Sequence, residues 1–64
     1  MEYEYLSNRV KDLQRELTEI AEHNRQYFAK RSHSANERAQ HKVWIDRVYE
    51  IRAELRALME RAAA

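Results

Sequence analysis

Apolar side chains recur along this chain at alternating steps of three and four residues, and the recurrence breaks once, at Ser32-His33-Ser34-Ala35-Asn36-Glu37. Alternating steps of three and four put side chains on one stripe of an α-helix and mark the seam of a coiled coil. Before the break, Tyr3, Val10, Leu17 and Asn24 stand at heptad position a, and Leu6, Leu13, Ile20 and Tyr27 at d. After it, His41, Val48, Leu55 and Ala62 stand at a, and Trp44, Ile51 and Leu58 at d. Neither Gly nor Pro occurs anywhere, so no residue type forces a helix to end. The pattern predicts a single all-α domain over residues 1–64, with one helix over about 2–31, a turn over about 32–34 and a second helix over about 35–62.

The break carries its own start signal. Ser34 and Glu37 form an S-x-x-E capping box, in which the hydroxyl accepts from the Glu37 backbone N–H and the carboxylate accepts from that of Ser34. Folding the chain back here sets Val10 against Leu55, Leu17 against Val48 and Asn24 against His41, while Leu6 meets Leu58, Leu13 meets Ile51 and Ile20 meets Trp44. No layer slips relative to the next. Flanking charges agree: the g positions facing each other are Glu2 and Arg61, Arg9 and Glu54, Glu16 and Arg47, all opposite in sign. Such pairs select register and orientation more than they stabilise. The expectation is an antiparallel two-helix coiled-coil hairpin.

A chain of 64 residues buries little apolar surface, and domains this small lean on disulfides, metals or oligomerisation. Cysteine is absent, which excludes disulfides and thiolate metal sites. The other flank of the seam is apolar: Ala21, Phe28, Ile45 and Met59 at e, with Tyr49 at the neighbouring b position. A second copy packed on this stripe completes a four-helix bundle homodimer. The alternative is that the stripe docks an unidentified protein partner.

Asn24 and His41 make the one polar layer of the seam, which reads as a device that penalises misaligned pairing. A pH-sensitive switch is the other reading, because an imidazole resists protonation in an apolar seam. His23, His33 and His41 all lie near the turn, with Glu37 as a further candidate metal ligand, but the E-x-x-H pairs of carboxylate-bridged bundles are missing. No catalytic motif is visible: there is no glycine-rich phosphate loop, no G-x-S-x-G and no H-E-x-x-H. The sequence therefore predicts a non-enzymatic protein with no cofactor.

Charge is unevenly placed. Between residues 23 and 42 lie Arg25, Lys30, Arg31, Arg38 and Lys42 against Glu37 alone, whereas residues 1–22 carry six acids against three bases. The basic turn end, with Tyr27, Phe28 and Trp44 nearby, suits phosphate contacts and base stacking, so RNA or DNA binding by a hairpin dimer is the alternative function. In architecture alone such a dimer resembles the small plasmid-copy-control RNA-binding proteins that are hairpin homodimers. No functional residue is carried over from that likeness. The longest apolar runs are three residues (Val43-Trp44-Ile45 and Ala62-Ala63-Ala64), too short for a membrane span, and a cytoplasmic location is expected. The leading expectation is a small interaction or adaptor protein that self-associates and works through protein–protein contacts.

Overall fold

The computed structural model describes residues 2–63 and shows two α-helices, α1 (Glu2–Ala29) and α2 (Ala35–Ala63), packed against each other as a hairpin. The described residues form a rod of 47 × 15 × 14 Å, the length expected of 28 or 29 residues rising about 1.5 Å each. No helix among them is long and apolar enough to cross a membrane.

The turn is built from side-chain hydrogen bonds. The capping box forms: the Glu37 N–H donates to Ser34 Oγ at 3.1 Å, and the Ser34 N–H donates to Glu37 Oε1 at 3.2 Å. This satisfies two backbone donors at the start of α2 that have no partner within the helix. α1 ends at Ala29, two residues earlier than the apolar pattern implies. Its last turn tightens, with the Lys30 N–H donating to the Tyr27 carbonyl at 3.3 Å. The same carbonyl accepts from His33 Nε2 at 2.5 Å. A carbonyl can only accept, so Nε2 carries the proton. Many helices end on a left-handed residue, yet no described residue here has positive φ. The imidazole takes over the carbonyl that such a cap would have satisfied.

The core is one row of side chains at its centre and a half-open row beside it. Leu13 and Ile51 face each other in the middle layer and both are 0% exposed. Ile20 and Leu58 are buried next to them, and Leu6, Val10, Leu17, Trp44, Val48 and Leu55 pack against this cluster while remaining partly exposed. Tyr3 departs from the expected core and is 81% exposed. Its partner across the seam is Ala62, itself exposed, whose single methyl cannot reach the ring at the open end of the hairpin.

Candidate functional site

The two long sides of the hairpin differ because different residues flank the two rows of the seam. At 100° per residue, d lies next to g, whereas a lies next to e and then b. On the g side all three expected ion pairs form. Arg47 grips Glu16 through two bonds, Nε at 2.7 Å and Nη2 at 2.9 Å, and also reaches Glu50 at 3.1 Å. Arg9 forks onto both oxygens of Glu54, the Nη2 bond measuring 2.9 Å, and Arg61 pairs with Glu2. These partners hold the Glu16 and Glu54 carboxyls below the ordinary carboxylate value through hydrogen bonds from Arg47 and Arg9, and they hold both guanidinium groups more firmly protonated. The four buried residues, Leu13, Ile20, Ile51 and Leu58, all stand in the d row on this side, while Leu6 and Trp44 of the same row stay partly buried.

Nothing equivalent covers the a row. Val10, Leu17, Val48 and Leu55 are half-exposed, and beside them Phe28, Tyr49 and Met59 are 70%, 65% and 69% exposed. Ile45 is half-buried and Ala21 is exposed. At the end away from the turn a groove of about 360 Å³ lies between the helices, with Val10, Ser7 and Lys11 on one wall and Met59 and Ala62 on the other. Farther along α2 a second groove joins Leu55 to Arg52, Arg56 and Met59.

The turn end holds a different arrangement. Tyr27 is sandwiched between two imidazoles, with His33 stacked at 3.6 Å and His41 at 3.9 Å between ring centroids. Phe28 stands edge-on to both Tyr27 and His41. His23 does not approach His41; it stacks on Trp44 at 4.1 Å. The reason lies in the fourth g layer, where His23 faces Gln40 and no ion pair can close the seam. Among the described residues, no three His, Asp or Glu side chains gather into a group able to hold a metal. Asn24 Oδ1 and His41 Nδ1 are both buried without a hydrogen-bond partner, so the polar layer is present but its atoms do not satisfy each other.

The five cations proposed for nucleic-acid contact are spread around the turn end and are largely engaged. Arg25 forks onto Glu22 at 3.0 and 2.5 Å, Lys30 pairs with Glu37 at 2.5 Å, and Arg38 donates to the His33 carbonyl at 2.7 Å. The Lys30 contact, with the Ser34 N–H second, lowers the Glu37 carboxyl to about 2. Arg31 and Lys42 have no ion pair among the described residues. No protein-family model, curated protein or solved structure matches this chain.

Proposed function

We propose that this chain is a helical interaction module, not an enzyme, which acts by burying the open a/e face of its hairpin against helices supplied from outside. The observation that carries this reading is the asymmetry of the core. One side is closed by three ion pairs, while the other leaves a partly exposed apolar row with large exposed side chains beside it, and opens into a groove between the two helices at the end away from the turn. Contiguous apolar surface of this kind marks an interaction site, and a groove between helices is the seat that a further helix fills. A four-helix bundle homodimer is the simplest symmetric way to cover it.

The test is association measured by sedimentation equilibrium and by titration, with the parent beside an Ile45→Glu, Tyr49→Glu double variant. The variant keeps its helical circular dichroism and loses association, with itself or with a partner helix. Association that survives both glutamates overturns the reading, because the contact then lies on another surface.

A further inference from the structure

The e and b positions of α2 form a stripe of their own on the open face: Arg38, Lys42, Ile45, Tyr49, Arg52, Arg56 and Met59, at steps of four and three. Two cations alternate with two apolar residues, then two cations and a methionine. On α1 the matching positions add Lys11 and Arg25, and the one acid among them is Glu4. Lys11, Lys42, Arg52 and Arg56 make no ion pair among the described residues. The acids of the chain stand elsewhere. Glu2, Glu16 and Glu54 are engaged on the g side, Glu37 pairs with Lys30 at the turn, and Asp12, Glu19, Glu22, Asp46 and Glu50 occupy c and f positions, as does Glu60, which reaches the groove beside Arg56. The open face is therefore both apolar and positively charged, and four of its cations, Lys11, Lys42, Arg52 and Arg56, have no ion pair among the described residues.

On the reading that this face is the working surface, we propose that its preferred occupant is an acidic amphipathic helix of a different protein, which completes a three-helix bundle. Its apolar stripe covers Val10, Leu17, Val48 and Leu55, and its flanking carboxylates meet Arg52, Arg56 and Lys42. Charge complementarity disfavours the symmetric solution: a second copy brings the same cation stripe with only Glu4 and Glu60 to answer it, and like charges set against each other are penalised. A nucleic-acid backbone answers the charge but brings no apolar surface for the half-exposed a row. An acidic helix supplies both, and the cation stripe selects among helices by repelling basic ones.

The experiment uses the full chain, isotopically labelled, titrated with a synthetic peptide of about 24 residues, long enough to follow most of α2 along the open face. The peptide carries Leu at its a and d positions and Glu at e and g, where the glutamates also discourage it from pairing with itself. The proposal expects saturable shifts of the Val10, Leu17, Val48 and Leu55 resonances. It expects affinity to fall at least about tenfold in an Arg52→Glu, Arg56→Glu variant, and no binding by the same peptide with Lys in place of Glu. Both arginines are exposed and without ion-pair partners among the described residues, so the variant retains the fold, which circular dichroism verifies. The proposal is overturned if the acidic peptide gives no saturable shift at low salt, or if the variant binds it equally well. Tighter binding of oligouridylate through the same residues also overturns it. A parent dimer that Ile45→Glu dissociates and that Arg52→Glu, Arg56→Glu strengthens overturns the acidic-helix proposal while leaving the open face as the working surface. Association untouched by Ile45→Glu and Tyr49→Glu overturns both.

Discussion

Replacing Asn24 and His41 together with leucine is expected to stabilise the hairpin. Each side chain buries one polar atom with no partner, and an orphaned buried donor or acceptor costs about 1–3 kcal/mol. Both side chains are half-buried rather than enclosed, so the low end of that range applies to each. Against the gain stands the stack of His41 on Tyr27, since paired aromatic rings contribute about 0.5–1.5 kcal/mol beyond their burial. The net gain is about 0.5–1.5 kcal/mol, which in a domain of this size raises Tm by about 2–12 °C. Thermal unfolding followed by circular dichroism, at one fixed protein concentration, reads this directly. The two single variants belong beside it: Asn24→Leu removes one orphan and keeps the stack, and carries most of the gain, whereas His41→Leu sets its orphan against the lost stack and gains less. A fall in Tm in the double variant, with helicity intact, would refute the reasoning. It would mean that the polar pair is satisfied in solution and holds the seam together. The cost of the gain is specificity: with leucine throughout, nothing in the seam penalises a shift of one helix past the other.

Three further outcomes are expected. Ser34→Ala removes the hydroxyl that accepts from the Glu37 N–H and lowers stability by about 1 kcal/mol, read from urea unfolding; an unchanged midpoint would mean that the capping box contributes nothing. Glu16, Glu22, Glu37 and Glu54 all titrate below the ordinary 4.5, Glu37 at about 2, so the folded chain binds protons less readily than the unfolded one. Their contribution is fully present above pH 4.5 and drains away as the pH falls from there towards about 2; denaturant midpoints that stay constant across that interval would contradict this. Arg9→Glu sets two carboxylates face to face opposite Glu54 and lowers Tm, and adding Glu54→Arg restores it. Failure of the reversed pair to recover would place the two helices in another register.

Most of the hairpin is legible in the sequence because each layer of the seam is specified by two residues on different helices. The apolar rows, the antiparallel register, the three g pairs and the capping box all follow from spacing alone. The end of α1 does not. Without glycine the sequence offers no local stop, and the group that caps the Tyr27 carbonyl is His33, six residues on, whose approach depends on the path of the turn. Tyr3 follows the heptad in sequence yet lies outside the core, since burial depends on the size of the facing residue and Ala62 is small. The two rows of the seam read as equivalent in a heptad pattern. Their difference emerges only in the burial: all four buried residues stand in d, and none in a. For the same reason Arg52 and Arg56 pass as ordinary solvated charges in the sequence. Beside the half-exposed Leu55 and the exposed Met59 they become part of one surface.

The asymmetry of the two rows is the claim on which the functional account rests. Its most direct test is the relaxation of methyl resonances by a soluble paramagnetic agent, at a protein concentration where sedimentation shows a monomer. The methyls of Val10, Leu17, Val48 and Leu55 are expected to relax strongly and those of Leu13, Ile20 and Ile51 weakly, with the first set alone becoming protected when the acidic peptide is added. Equal relaxation of the two sets in the free chain, or protection that falls on the g side instead, would contradict the account.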